Sequence, residues 1–131
     1  VETASGDPLD VVPRFRDYLD GGLEMLDSLP VDMGGTPFQR RVWAVLRTIP
    51  AGRTLSYLEV AQRVGAPDAV RAVGAANGRN PVAIVVPCHR VIGANGQLVG
   101  YGGGLERKRW LLTHERARVP ALALAQPRLF E

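Results

Sequence analysis

The stretch that decides the fold is Ala83-Ile84-Val85-Val86-Pro87-Cys88-His89-Arg90-Val91-Ile92. Its first four residues are apolar and mostly β-branched, which predicts a short buried strand. Pro87 cannot donate a hydrogen bond within a central sheet, so the regular strand is expected to end there, and Val91-Ile92 to continue as a strand. The sequence therefore predicts that Cys88 and His89 are presented where a core strand ends.

Cys88 is the only cysteine of the chain, and two interpretations of it are open. It is a candidate nucleophile, because a neighbouring imidazole, cation or helix N-terminus increases the thiolate fraction of a thiol whose ordinary pKa is about 8.5. It is also a candidate for an inert core residue, since free cysteines are often buried for packing alone. Adjacent strand residues point to opposite faces, so the order Cys88-His89 does not by itself predict a pair.

The composition indicates one domain of 131 residues, whose 46% hydrophobic content is sufficient for a core. A single cysteine excludes an internal disulfide framework and favours a reducing compartment, so we expect a cytoplasmic protein. The sequence contains neither an apolar run long enough to span a membrane nor a basic-then-apolar secretory leader. Metal-ligand spacing is absent around the two histidines, His89 and His114, and we expect no metal or other cofactor.

Acidic and basic residues are distributed unevenly along the chain. Residues 1–33 hold eight acidic and two basic side chains, whereas residues 34–131 hold five acidic and fourteen basic ones. Because Gly34-Gly35 lies at the junction, we predict an N-terminal appendage over 1–33, a main domain over 34–118 and a tail over 119–131. The basic main domain is consistent with a polyanionic partner such as nucleic acid, and also with an ordinary solvated surface.

Helix signals dominate the chain. Thr36-Pro37-Phe38-Gln39 and Ser56-Tyr57-Leu58-Glu59 are capping boxes, in which the first and fourth residues satisfy each other's backbone donors. Five helices are predicted, over residues 10–20, 36–49, 56–65, 67–77 and 105–118. A short edge strand is expected over 29–33, and Asn95-Gly96 predicts a two-residue hairpin turn. The residues of the last helix expected to face the core are Leu105, Trp110, Leu111 and Leu112.

The two short helices over 56–65 and 67–77 indicate either a helix-turn-helix or a plain αα-hairpin. The second of them has small side chains apart from Arg71. Base reading by bidentate contacts uses Arg, Asn and Gln. A smooth helix with one cation is therefore better suited to lie close in a shallow groove with Arg71 inserted. The alternative is that its alanines are simply buried.

An ordered series of motifs over residues 34–115 resembles one protein family. The motifs are Arg71-Ala72-Val73-Gly74, Asn80-Pro81, Pro87-Cys88-His89-Arg90-Val91-Ile92, Gly100-Tyr101 and Gly103-Gly104-Leu105. They resemble the O6-alkylguanine-DNA alkyltransferases, also called methylated-DNA–protein-cysteine methyltransferases, and look closest to the bacterial members. The resemblance implies a mainly α fold with a small β element, built as a winged-helix-like or helix-turn-helix DNA-binding domain. Residues 8–33 are similar to the last helix and strand of the family's N-terminal α/β domain.

The resemblance also implies roles for the reactive residues. Cys88 is implied to be the acceptor nucleophile and His89 its base, acting through a bridging water. Glu115 is implied to be the acid that orients His89. Tyr57 is implied to donate its hydroxyl to a flipped guanine and so assist the departure of the base.

Further residues are implied to contact DNA or the flipped base. Arg71 resembles the finger that fills the base stack, and Asn80 the hinge residue whose side chain bonds across the turn leading to the site. The implied DNA-contacting residues are Tyr57, Arg71, Ala72, Gly74, Ala75, Arg79 and Arg90, the last of which either braces the site or contacts the backbone. The implied substrate pocket consists of Val91, Tyr101, Gly102 and Gly103. There the main chain around Val91 and Cys88 accepts from the exocyclic amine, and the amide near Gly102 donates to O6.

The function implied by the resemblance is DNA repair. O6-alkylguanine, and also O4-alkylthymine, is flipped out of double-stranded DNA on the minor-groove side, and its alkyl group passes irreversibly to Cys88. Because no residue here can hydrolyse the resulting thioether, one turnover per molecule is expected, by a monomer without cofactor, metal or membrane. The alternatives are a non-catalytic relative that binds alkylated DNA, a helix-turn-helix regulator whose cysteine is structural, and a turnover cysteine hydrolase.

Overall fold

The computed structural model describes residues 10–101 and 104–117. Within these ranges the chain is mainly helical with one two-stranded parallel sheet, which confirms the predicted fold class. The elements in chain order are α1 (Val11–Leu19), α2 (Pro37–Leu46), β1 (Leu55–Ser56), α3 (Tyr57–Arg63), α4 (Val70–Gly78), a 3-10 helix (Cys88–Arg90), β2 (Val91–Ile92) and α5 (Leu105–His114).

Both predicted capping boxes are present, and they determine where α2 and α3 begin. The backbone N–H of Gln39 donates to the Thr36 hydroxyl over 3.1 Å, and the Thr36 N–H donates to the Gln39 side chain over 2.9 Å. The same reciprocal bonds join Ser56 and Glu59, at 3.0 and 2.8 Å. Each box satisfies two donors that a helix start would otherwise leave unpaired. Tyr57, the first residue of α3, is thereby held directly after β1.

Helices α3 and α4 form a helix-turn-helix that packs on α2. The Trp43 indole N–H of α2 donates to the Ala76 carbonyl of α4 over 2.8 Å, which ties the two helices together in the core. Of the residues on α4, Val73 and Ala76 are buried, whereas Ala72 and Ala75 are exposed. The small side chains of α4 therefore serve both purposes: one face packs in the core, and the other is a smooth surface open to solvent.

The predicted strand over 83–86 is wrong, because the chain folds back on itself there. Ile84 has a φ of 75°, a left-handed conformation that is rare for a β-branched residue. The Val86 N–H donates to the Val82 carbonyl over 3.0 Å, so these residues form a turn in which Ala83 and Val86 make one isolated bridge. The predicted strand Val91–Ile92 is present as β2, and it pairs in parallel with β1.

Three smaller expectations also fail. Residues 29–33 form no strand. Asn95-Gly96 lies in a turn, but no hairpin strand follows within the described residues, where β2 pairs only with β1. On α5, Trp110 is 53% exposed rather than inward, and it stacks on the His114 ring with centroids 5.0 Å apart. The buried residues of that helix are Leu111 and Leu112, as expected, together with Lys108.

Helix α1 packs against the rest of the chain through its inner face. Tyr18 is buried in one cluster with Leu26 and Leu29, and with Val85 and Leu111 from beyond residue 34. The division at residue 34 stays a prediction, but these contacts cross it directly. The expected tail over 119–131 lies outside the described residues. Within the described residues, no helix has the length and apolar character needed to cross a membrane, and no three potential ligands cluster for a metal ion.

Candidate active site

Cys88 opens onto a cleft beside α4. The thiol residue is 6% exposed, at the first position of the 3-10 helix. The cleft has a volume of about 310 Å³, which lies within the range of small-molecule sites, roughly 300–1,000 Å³. Its lining residues are Tyr57, Gly74, Asn77, Gly78, Asn80, Ala83, Cys88, Gly100 and Tyr101. The arrangement combines one nucleophile with a few polar groups and two aromatic rings.

The surroundings of Cys88 hold it as a thiol at rest. Burial raises the pKa of the Cys88 thiol, while a hydrogen bond with the Asn80 side chain and the charge of Lys108 lower it in part. A protonated thiol is a weak nucleophile, so a reaction at this sulfur requires a base nearby. The turn that carries Cys88 supplies one in the next residue, His89.

His89 is fully buried, and its two ring nitrogens differ in their surroundings. Nε2 lies 2.8 Å from Oε2 of Glu115, so the ring proton of the neutral imidazole belongs on Nε2. Nδ1 is buried without a hydrogen-bond partner among the described residues. Burial lowers the pKa of His89, and the hydrogen bond with Glu115 raises it only in part. The ring is therefore neutral, and its free lone pair on Nδ1 is available to accept a proton.

Glu115 is ionised and receives hydrogen bonds on both oxygens. Arg90 donates from Nε to Oε1 over 2.9 Å and from Nη2 to Oε2 over 2.8 Å. The Tyr18 hydroxyl donates to Oε2 over 2.6 Å. Burial raises the pKa of Glu115, but the bonds from His89 and Arg90 outweigh burial and bring the pKa to about 2.

Arg90 does not fit the expected contact with DNA. Its side chain is buried, and besides Glu115 it donates to the Ile49 carbonyl over 2.6 Å. Because the guanidinium is buried and bonded to groups inside the protein, it cannot reach a phosphate. Of the two expected roles for Arg90, bracing the site is the one that its geometry supports.

Tyr57 lines the cleft, and Lys108 lies beside its ring. The Tyr57 hydroxyl donates to the Val99 carbonyl over 3.1 Å. Burial raises the pKa of Tyr57, so its hydroxyl keeps its proton. Lys108 donates to the carbonyls of Val99 and Gly100 at 2.9 and 3.2 Å, and its Nζ lies 6.0 Å from the centre of the Tyr57 ring. Burial lowers the pKa of Lys108 to about 8.

Two asparagines connect α4 to the turn that carries Cys88. Asn80 accepts from the Val82 N–H over 2.9 Å and donates to the Val86 carbonyl over 2.6 Å, so its side chain spans the turn. Asn77 donates to the Cys88 carbonyl over 3.3 Å. Both bonds fix the main chain on either side of Pro87, which orients the thiol.

Only some of the remaining predicted residues lie at the cleft. Arg71, Ala72, Ala75 and Arg79 are exposed on or beside α4, while Gly74 of the same helix lines the cleft. Tyr101 lines the cleft. Val91 is buried in β2, which directly follows the 3-10 helix that carries Cys88. Gly102 and Gly103 lie outside the described residues.

Three polar residues of the site were missed by sequence reasoning: Tyr18, Asn77 and Lys108. Lys108 carried a usable signal, because it is the only lysine among the sixteen basic side chains of the chain. A compact ammonium used once, where arginine is used elsewhere, indicates a specific role. Asn77 lies on the buried side of an otherwise apolar helix face, which is a second such signal. Tyr18 gave none, because its partner is 97 positions away.

Comparison with known proteins gives one consistent result. Residues 37–117 match the family model described as 6-O-methylguanine DNA methyltransferase, DNA binding domain. The chain is 59% identical over 102 residues to a methylated-DNA–protein-cysteine methyltransferase of Shigella flexneri, covering 78% of this chain and 60% of that protein. It is 63% identical over 110 residues to the protein of the same name from Mycobacterium leprae, covering 84% of this chain and 66% of that protein.

A solved structure shows the same relationship. The crystal structure of Mycobacterium tuberculosis OGT in complex with DNA matches with a TM-score of 0.75 and 55% identity, covering 86% of this chain and 68% of that chain. The chain thus spans 60% and 66% of the length of the Shigella and Mycobacterium leprae proteins.

Proposed function

Since this chain belongs to the 6-O-methylguanine DNA methyltransferase family, we propose that it repairs O6-alkylguanine in DNA by moving the alkyl group onto Cys88. The observation that carries the proposal is the placement of that thiol. It opens onto a cleft of about 310 Å³ that Tyr57 also lines, and the residue after it is a neutral imidazole with one ring nitrogen bonded to Glu115 and the other without a partner among the described residues.

Activation of the thiol is the first step. The Cys88 proton passes through a bridging water to Nδ1 of His89, the nitrogen that has no partner among the described residues. The imidazolium that forms keeps its Nε2–H on the Glu115 carboxylate, which stabilises the positive charge. The proximity of Lys108 favours the thiolate, since its charge lowers the pKa of Cys88.

Transfer is an in-line displacement at the alkyl carbon. The thiolate sulfur forms a bond to that carbon while the bond from carbon to O6 breaks, and its electron pair moves into the purine. A hydrogen bond from the Tyr57 hydroxyl meets this developing charge. To do so the hydroxyl gives up its present bond to the Val99 carbonyl. The product is a thioether, which the site cannot hydrolyse, so each molecule acts once.

Helix α4 is the element we assign to DNA. Its exposed face consists of small residues around Arg71, so the helix can lie close to the minor groove and let Arg71 occupy the space of an extruded base. Gly74, on the same helix, lines the cleft, so the path from groove to thiol is short. O4-alkylthymine is a second substrate that the same displacement would accept. Arg79, at the end of α4, is assigned to the phosphates.

Intact-mass spectrometry tests the proposal. The protein is incubated with duplex DNA containing O6-methylguanine, and the expected result is a gain of one methylene mass, mapped to Cys88 and limited to one equivalent. Cys88→Ser is expected to bind the same duplex unchanged and to gain no mass. Serine is the matched variant, because it preserves size while removing the thiolate.

Other outcomes identify the alternatives. Binding of alkylated DNA without any mass gain by the natural chain would indicate a non-catalytic binding protein. Continued product formation beyond one equivalent would indicate a turnover hydrolase. Loss of DNA binding in Cys88→Ser would show that the cysteine is structural.

A further inference from the structure

We propose that Tyr18 is a positioning residue for the proton relay: its hydroxyl restrains Glu115 so that this carboxylate orients His89 without protonating it. This inference rests on the proposed function, because it assigns a task within the same transfer. Tyr18 lies on α1, before the residues that match the family model, and so adds to the site from outside that segment.

The geometry around Oε2 of Glu115 is the basis of the inference. This one oxygen accepts three hydrogen bonds, from the Tyr18 hydroxyl at 2.6 Å, from His89 Nε2 at 2.8 Å and from Arg90 Nη2 at 2.8 Å. The Tyr18 bond is the shortest of the three, and Tyr18 is 1% exposed. A short bond from a buried hydroxyl to a carboxylate is among the stronger hydrogen bonds in proteins.

The three donors compete for the same negative charge. A carboxylate whose only partner was His89 would stabilise the imidazolium strongly and keep the ring protonated, which would leave no base for Cys88. The hydrogen bonds from Tyr18 and Arg90 neutralise part of the negative charge on Oε2 of Glu115, so less of it acts on His89. The arrangement therefore keeps His89 neutral at rest and still offers Glu115 as a partner once the proton arrives.

Other charged groups act on this relay from the surrounding elements. Arg90 on the 3-10 helix and Lys108 on α5 both lower the pKa of His89. Asp27, which precedes α2, interacts electrostatically with Arg90 and Glu115. Tyr101 interacts with Tyr18 and Glu115. None of these groups donates a hydrogen bond to Glu115 except Arg90, so among the described residues Tyr18 is the one neutral donor on it besides His89 itself.

Tyr18 is itself held in place from the outer side. Its carbonyl lies 2.7 Å from Nε2 of His114, and the two rings meet edge to face with centroids 5.1 Å apart. Trp110 stacks on the far side of His114. The hydroxyl is thus fixed by α5 as well as by its own helix, which suits a positioning role.

The test is the pH dependence of single-turnover transfer in the full chain. Tyr18→Phe keeps the ring and removes only the hydroxyl. We expect the acid limb of the rate profile to move up by about one pH unit, the size expected for loss of one hydrogen bond to a charged group. At a fixed pH on the acid limb the rate then falls by about tenfold, and at higher pH, where His89 is neutral in both proteins, the two profiles meet.

Trp110→Ala is the matched control, because it removes packing next to Tyr18 without touching Glu115, and its profile should keep the natural midpoint. An unshifted acid limb in Tyr18→Phe would overturn the inference while leaving the transfer itself intact. Absence of any transfer by the natural chain would instead overturn the proposed function.

A second measurement needs no variant. The ¹⁵N shifts of the His89 ring in the natural chain should show a neutral ring protonated on Nε2 at neutral pH. An imidazolium at neutral pH would overturn the inference, even if Tyr18→Phe failed to fold.

Discussion

Arg90 and Glu115 form a buried, two-bonded ion pair that joins the turn carrying Cys88 to the end of α5. The bonds measure 2.9 Å from Nε to Oε1 and 2.8 Å from Nη2 to Oε2, and both side chains are nearly inaccessible to solvent. The third guanidinium nitrogen donates to the Ile49 carbonyl beyond α2. One residue thus connects three segments that meet behind the nucleophile.

Arg90→Met is expected to destabilise the protein strongly. It leaves the Glu115 carboxylate short of its cationic partner and the Ile49 carbonyl unpaired, and breaking one side of a buried pair costs about 3–5 kcal/mol. Urea unfolding at neutral pH measures the loss. Arg90→Lys is the control: it keeps the charge but cannot bridge both oxygens, so a smaller loss is expected. A free energy of unfolding for Arg90→Met equal to the natural value would show that the pair is not structural.

Ionisation of Glu115 is expected to make the free energy of unfolding depend on pH in the acid range. Its folded pKa of about 2 lies below the ordinary value of 4.5, so folding favours the ionised form. The resulting stabilisation is complete above about pH 4.5 and is lost as pH falls toward about 2, by at most about 3 kcal/mol. Unfolding free energies across this window measure it. Glu115→Gln should show a flatter profile there, and parallel profiles would contradict the assignment.

His89 acts in a different pH window, which separates the two effects. Its folded pKa is lowered from 6.5, so folding favours the neutral ring. The corresponding stabilisation is complete above about pH 6.5 and declines below it. The decline in stability just below pH 6.5 is therefore expected from His89, and Glu115 is expected to add to the decline below about pH 4.5.

The helices could be predicted from sequence because their signals are local. Thr36 with Gln39, and Ser56 with Glu59, lie within one turn of each other, and both boxes are present in the structure. The turn over residues 82–86, before Cys88, could not be predicted, because apolar β-branched residues favour a strand. The left-handed φ of Ile84 occurs alongside bonds from the Asn80 side chain that an extended chain would not make.

The same difference between local and long-range signals applies to the residues of the site. Cys88, His89 and Tyr57 were accessible through motifs, whereas Tyr18 was not, since only the folded chain brings it to Glu115. On α5, Trp110 was expected to face the core but is exposed, whereas Lys108 is buried. Hydrophobicity predicted an inward tryptophan, but two loop carbonyls, of Val99 and Gly100, required a buried donor.

Lys108 is expected to titrate near pH 8 and to tune the thiol. Because it is the only lysine of the chain, NMR of its side chain should show a single titration, with the pKa lowered from 10.5 to about 8. Its charge lowers the pKa of Cys88, so Lys108→Met should slow the reaction of the thiol with iodoacetamide at neutral pH by severalfold. A titration near the ordinary lysine value would contradict its burial as a cation.

The same shift predicts a rise in stability in alkali. The folded pKa of Lys108 lies below the unfolded value, so folding favours the neutral amine, and the free energy of unfolding should rise relative to that of Lys108→Met between about pH 8 and about pH 10.5. Lys108→Met has no proton to lose and should lack this rise. Identical slopes for the two proteins across this range would show that Lys108 is solvated.

Arg71→Ala is expected to separate base extrusion from chemistry. Arg71 is exposed on α4, away from the buried relay, so its loss should leave the thiol, His89 and Glu115 undisturbed. On duplex DNA the single-turnover rate should fall about tenfold, because an emptied stack favours return of the base. On free O6-benzylguanine, which needs no extrusion, the rate should change little. Arg16→Ala, an exposed arginine on α1, is the control and should match the natural chain on both substrates. Equal losses on duplex and free base would assign Arg71 to the chemical step instead.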